Sequence, residues 1–144
     1  GETRNVHDQL HQIWRGMADE GLISEEHYRK GTVLNFYKSP EEFMAPLKDT
    51  ASAPYRNGLR LVDERTVYVK CPYRCRWNED GDTASFAAGL MATIRSWSRH
   101  SFASVAGDAL ADQVYARLEQ RIADAPSEWS LDYVEHHQMM EKVA

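Results

Sequence analysis

This 144-residue chain is poor in several things, and each shortage removes a class of protein. It has two cysteines, Cys71 and Cys75, too few for a disulfide framework. It has no signal peptide, and no apolar run approaches the ~18 residues needed to span a bilayer. Positive charge is in deficit: 17 Lys and Arg against 22 Asp and Glu, a formal net charge of -5. General nucleic-acid binding needs a basic face that displaces counterions, so this balance argues against it. The 8 glycines are scattered and form no G-x-G cluster. There is no P-loop, no G-x-S-x-G elbow and no Ser-His-Asp signature. These shortages predict a soluble, cytoplasmic protein with no nucleic-acid or membrane partner. A chain that opens on Gly1 in place of methionine is expected to be a processed or truncated form.

What is present suits one packed domain over residues 1–144. Hydrophobic residues make up 42% and charged residues 27%, enough for a core and unlike a disordered chain. Residues 5–20 read as an amphipathic helix. Asn5 is placed to cap it, and Val6, Leu10, Ile13, Trp14 and Met17 recur at three- and four-residue spacing. Gly21 ends it. Ser24-Glu25-Glu26 starts a short helical turn ending near Gly31. Val33 to Tyr37 reads as extended. Ser39-Pro40-Glu41-Glu42 carries the three marks of a helix start: a capping serine, proline at the first position, and glutamate at the capping-box position. Pro46 keeps that helix short.

Residues 49–58 read as a loop closed by Asn57-Gly58. Leu59 to Val69 alternates and is β-branched, which predicts a strand, in one piece or in two around Asp63-Glu64. Extended chain is expected to continue to Trp77, followed by a loop at residues 78–82. Thr83 would cap a long helix over 84–104 whose apolar stripe is Phe86, Leu90, Ile94 and Trp97. Gly107 breaks it. Asp108 starts another helix, with Leu110, Val114, Tyr115, Leu118 and Ile122 on one face, ended by Pro126. A last strand runs from Trp129 to Met140. This order reads as α+β or as part of an α/β domain. A lone pair of strands is marginal unless something covers or extends it.

Few residues suggest chemistry on their own. His7 and His11 share a helix face, but a metal needs a third ligand, and a solvated polar face is the plainer reading. Cys71 and Cys75 would point to one side of a strand and serve as two small buried residues. His136 and His137, adjacent in a strand, point to opposite faces and cannot grip one ion together. Tyr28, Phe36, Tyr37, Phe86, Trp97 and Tyr133 supply aromatic surface, as core or as the lining of an apolar pocket.

The motifs, taken in order, resemble the SABATH family, the carboxyl methyltransferases that act on small acids. That family carries a segment like W-x-x-L-x-x-M-V-x-E-G-L-I-x-E-E. Here Trp14-Arg15-Gly16-Met17-Ala18-Asp19-Glu20-Gly21-Leu22-Ile23-Ser24-Glu25-Glu26 stands in its place. The family's N-x-P-x-Y-x-P-S-x-E-E-V is answered by Asn35-Phe36-Tyr37-Lys38-Ser39-Pro40-Glu41-Glu42-Phe43. Its G-S-F-x-I-x-x-L-E strand is answered by Gly58-Leu59-Arg60-Leu61-Val62-Asp63-Glu64. Its cap helices are answered by Ala92-Thr93-Ile94-Arg95-Ser96-Trp97, then by Ala111-Asp112-Gln113-Val114-Tyr115-Ala116-Arg117-Leu118. A closing strand ends at Lys142.

The resemblance implies a mostly helical cap with two or three antiparallel strands, a fragment of a seven-stranded α/β methyltransferase fold. It implies that S-adenosylmethionine serves the full-length protein and is held by residues outside this chain, which alone would be inactive. It implies a small-molecule acceptor, perhaps a carboxylate, lined here by Phe36, Ile94, Trp97 and Tyr133; Asp132 competes with Tyr133 but is a poor apolar wall. No residue of this chain is implied as catalytic or as a metal ligand. Methyl transfer to a carboxylate needs mainly alignment and exclusion of water, so a cap can offer aromatics in place of an acid–base pair. Arg99-His100 and Val105-Ala106 depart from the family's cap motif and leave the acceptor's identity open. In the family's topology the last strand has two neighbours, so an open edge here would recruit a second copy into a homo-oligomer. Two other readings stand beside this one: a stand-alone small-molecule-binding or dimerisation module without catalysis, and a metal-dependent enzyme built on His7 and His11.

Overall fold

A computed structural model describes residues 3–33 and 38–143. Among them the elements run α1 (Val6–Asp19), α2 (Glu25–Lys30), α3 (Pro40–Lys48), α4 (Ala53–Arg56), β1 (Leu59–Val69), α5 (Pro72–Asp80), α6 (Thr83–Ala106), α7 (Asp108–Asp124), a 3-10 turn (Pro126–Glu128) and β2 (Tyr133–Lys142). The fold is α+β and mostly helical, with one two-stranded antiparallel sheet among the described residues. The chain divides into two compact units. One is Gly1–Leu34 with Cys71–Leu131, and the other is Asn35–Lys70 with Asp132–Ala144.

The first unit is helical, and its helices start where the sequence supplies caps. Asn5 Oδ1 accepts from the backbone N–H of His7 at 2.9 Å, and Ser24 Oγ from that of His27 at 3.1 Å. Such caps satisfy donors a helix start would otherwise leave bare. After α1, Gly21 takes a φ of +74°, the left-handed turn that glycine adopts without strain. The helix α6 is capped one residue earlier than expected: Asp82, not Thr83, accepts from the Ser85 backbone at 3.0 Å and from its hydroxyl at 2.6 Å.

The core of this unit forms between α1, α6 and α7. With Trp129, Trp14 is one of its two fully buried tryptophans. Its ring centroid lies 4.9 Å from that of Phe102, and its indole N–H donates to the Tyr28 carbonyl at 3.1 Å. A Cβ on Gly31 would come within 2.7 Å of the Trp14 ring, so that position must stay bare. On α6 the buried row Phe86, Leu90, Ile94, Ser98 and Phe102 recurs every four residues, with Ala87 and Met91 buried beside it. Ser98, not Trp97, continues the stripe, and its hydroxyl bonds the Ile94 carbonyl at 2.7 Å and the Tyr115 hydroxyl at 2.8 Å. A buried hydroxyl so satisfied carries no desolvation penalty of an orphan group. Trp97 is turned outward and 41% exposed.

Extended chain does not continue through Lys70–Trp77. Pro72 sits at the first position of α5, where its fixed φ suits a helix and its missing N–H costs nothing. Cys71 is therefore the buried residue before the helix, while Cys75 lies exposed on it; the two are not a buried pair. Arg74, also on α5, donates to the carbonyls of Pro126 and Trp129 at 2.8 and 3.0 Å, and Trp129 is fully buried. The last strand begins at Tyr133, later than expected, because the 3-10 turn and the core role of Trp129 take up the preceding residues.

The second unit is a ribbon with two short helices. In it β1 pairs with β2 from Leu59–Lys142 to Val69–Tyr133. The strand β1 is continuous, with a bulge between Leu61 and Asp63 that leaves Val62 extra. The capping box of α3 is complete: Glu42 N–H donates to Ser39 Oγ at 3.2 Å, and Ser39 N–H to the Glu42 carboxylate at 2.8 Å. Pro46 is accommodated inside α3, whose nine residues run two past it. The same helix lies over one ribbon face, with Gln138 reaching Met44 and Lys48 paired to Glu64 at 2.8 Å. Residues 49–58, read as loop, include the single turn of α4.

Two outcomes test this account. Trp14→Ala lowers unfolding free energy by about 3–5 kcal/mol, read from urea denaturation. The Asp82 carboxyl is held below its ordinary value of 3.8, first by the Ser85 hydroxyl and then by the Ser85 backbone. Its stabilisation is complete above that ordinary value and is lost as pH falls through the lower folded one. Asp82→Asn keeps the cap but does not ionise, so its urea midpoint falls less between pH 5 and pH 3 than that of the parent.

Candidate functional site

The ribbon's register places residues that are far apart in sequence on one surface. Cross-strand partners share a face, so Thr66 and His136 stand together, as do Tyr68 and Val134. The start of α3 lies against this face through Phe43, whose ring meets His136 edge-on at 6.3 Å between centroids. Between them lies an open depression of about 720 Å³, lined by Lys38, Ser39, Pro40, Phe43, Asp132, Tyr133, Val134 and His136. Its walls are mainly apolar. Phe43, Tyr133 and Val134 are all half exposed or more, at 53%, 50% and 58%. Lys38 supplies one cation at the rim, and the Asp132 carboxylate accepts from the Tyr68 hydroxyl at 3.2 Å. That bond, with the charge behind it, raises the Tyr68 phenol above its ordinary value.

His136 is the polar centre of this surface. It borders the depression and also a neighbouring recess of about 280 Å³ beside Met44, Glu64 and Thr66. Its Nδ1 meets the Thr66 hydroxyl at 3.1 Å. Its Nε2 is buried without a hydrogen-bond partner and lies 3.8 Å from a Glu64 carboxylate oxygen. The nearest charged group to that nitrogen is thus the Glu64 carboxylate. The adjacent His137 points to the opposite face and bonds Glu135 at 2.8 Å, as the alternation of a strand requires.

The four residues expected to line an acceptor pocket fall in different surroundings. Tyr133 is the one on the depression. Ile94 is fully buried in the helical core. Trp97, on the same helix, is partly exposed, with its ring 5.0 Å from that of His7. Phe36 lies outside the described residues, as does most of the extended Val33–Tyr37 stretch. Lys38 and Phe43 escaped the sequence reading, because the strand register and the seat of α3 bring them together, while His136, read there only as one of two strand histidines on opposite faces, is the one of the pair that borders the depression.

His7 and His11 do share a helix face, but different aromatics engage them. His11 Nε2 meets the Tyr28 hydroxyl at 3.1 Å, while His7 packs on Trp97, and burial lowers its imidazole below the ordinary value. Among the described residues no group of three or more His, Cys, Asp or Glu converges to hold a metal. No described helix is long and apolar enough to cross a membrane. S-adenosylmethionine would need a glycine-rich turn after a strand, where backbone can approach it. The glycines with positive φ follow helices (Gly21, Gly81, Gly107) or precede β1 (Gly58), and β1 runs into α5 through Cys71-Pro72. The described residues form no such turn. No protein-family model matches the chain, and a search of the curated proteins finds no match.

The contrast between Ile94 and Tyr133 is measurable. Ile94→Ala removes packed core and costs about 2–5 kcal/mol in urea denaturation. Tyr133→Ala, at an open surface, stays within about 0.5 kcal/mol of the parent.

Proposed function

We propose that this chain is the acceptor-binding part of an S-adenosylmethionine-dependent methyltransferase whose substrate is a small carboxylic acid or a similar small molecule. The observation that carries the reading is the depression at the start of β2. Aromatic and aliphatic walls from Phe43, Tyr133 and Val134 suit a flat apolar body. Lys38 at the rim suits a carboxylate, and the His136 ring completes the wall. The topology supports the same reading: β1 and β2 are antiparallel neighbours, and residues 70–132 are inserted between them. A lid grafted between two strands of a larger sheet has this connectivity.

The ribbon's surface adds support. Val62, Tyr68, Tyr133, Val134, Met139 and Met140 are large apolar residues, each about half exposed or more. They lie on both faces of two strands of eleven and ten residues. A two-stranded ribbon is marginal in water by itself, and exposed apolar faces on both sides suit a place within a wider, covered sheet. In this reading the methyl donor is held by residues other than these, and the described side chains contribute binding, orientation and exclusion of water.

The complete gene product, given methyl-labelled S-adenosylmethionine and a panel of small acids, phenols and amines, is expected to label an acid, while the 144-residue chain alone labels none. Phe43→Ala and Tyr133→Ala in the complete protein raise KM for the acid more than they lower kcat, the signature of lost binding. Absence of transfer across the whole panel contradicts the proposal.

A further inference from the structure

The depression at the start of β2 carries charge of both signs. Lys38 lines it with an ammonium and Asp132 with a carboxylate, while Phe43, Tyr133 and Val134 supply its apolar wall. The carboxylate is held in place, because it accepts from the Tyr68 hydroxyl of β1 at 3.2 Å. That bond and the charge behind it are what raise the Tyr68 phenol above its ordinary value. Tyr68 in turn opposes Val134 in the strand register, so the anchor of Asp132 belongs to the same strand pair that sets the wall. A carboxylate accepts hydrogen bonds at several positions at once, so it can take a ligand's donor beside its protein partners.

A plain carboxylic acid satisfies only half of this arrangement. Its anion gains from Lys38 but meets a second anion in the same depression, and like charges in one site oppose each other. A molecule with an apolar body and both charges meets each group with its opposite. We propose that the depression selects a zwitterionic acid, an apolar amino acid whose carboxylate faces Lys38 and whose ammonium faces Asp132. Asp132 is then the residue that determines specificity. It attracts the ammonium and repels the acid that lacks one, so the two effects discriminate in the same direction. Contacts between an ammonium and a carboxylate are charge-assisted hydrogen bonds, stronger than neutral ones. This inference rests on the acceptor reading of the depression and narrows it from small acids in general to amino acids.

Titration of the isotopically labelled chain with two matched pairs of probes, followed by NMR, tests it. One pair is phenylalanine and hydrocinnamate, with the zwitterion's charges on adjacent carbons. The other is para-aminomethylbenzoate and para-toluate, with those charges set across a ring. Within each pair the ammonium is the main difference. In at least one pair the zwitterion is expected to bind about threefold to tenfold more tightly than its analogue. Asp132→Asn keeps an oxygen for the Tyr68 hydroxyl but carries no charge. It is expected to erase the preference while the analogues bind as well as to the parent or better, which also shows that the variant is folded. Analogues that bind the parent as tightly as their zwitterions overturn the inference and leave the acceptor reading standing. A preference that persists in Asp132→Asn does the same. If none of the four probes shifts the residues of the depression, both readings fall.

Discussion

The pairing of β1 with β2 is the constraint from which the rest follows. Val69 and Tyr133 are cross-strand partners, so the chain that leaves the ribbon at residue 70 must return beside its point of departure. Everything in between has to form a body whose entry and exit are adjacent. Arg74 meets that demand: its guanidinium near the entry holds the carbonyls of Pro126 and Trp129 near the exit. The long antiparallel helices α6 and α7 turn at Gly107 and bring the chain back. Loop-closure entropy makes such long-range pairing expensive, and the packed helical core between the ends offsets it.

The same pairing composes the candidate site. Residues 66 and 136 share one face only because the register aligns them; α3 brings Phe43 to the depression beside them, and Lys38 just ahead of that helix joins it. The resulting surface has apolar breadth, one cation and one buried imidazole nitrogen lacking a partner. No group of three or more metal-ligating side chains converges among the described residues. Such a surface can bind and orient a small molecule, and reactions that need mainly alignment are the ones it could serve.

Local signals made much of the fold legible. Asn5, Ser24 and the Ser39–Glu42 box start helices where the sequence places them, because a cap acts within one turn. The apolar spacing of α1 and α7 survives in the core. The error at residues 70–77 is instructive. The β-branched and aromatic run Thr66-Val67-Tyr68-Val69 favours extended chain, while the decisive residue is Pro72 at a helix start. On α6 the stripe was followed to Trp97, yet strict four-residue spacing leads to Ser98, whose hydroxyl is acceptable in a core once Tyr115 bonds it. The site was legible at Tyr133 and its neighbour Asp132, and at His136 only as one of a pair of strand histidines. Lys38, Phe43 and His136 take their meaning from contacts between distant segments, and no local pattern encodes those.

The proposal at the centre of this account is that the depression bounded by Phe43, Tyr133, Val134 and His136 accepts a small carboxylic acid, for which benzoate is a probe. Titration of benzoate into isotopically labelled chain, followed by two-dimensional NMR, tests it most directly. The account predicts saturable shifts concentrated at those four residues and Lys38. Shifts that gather elsewhere, or none at saturating benzoate, would contradict it.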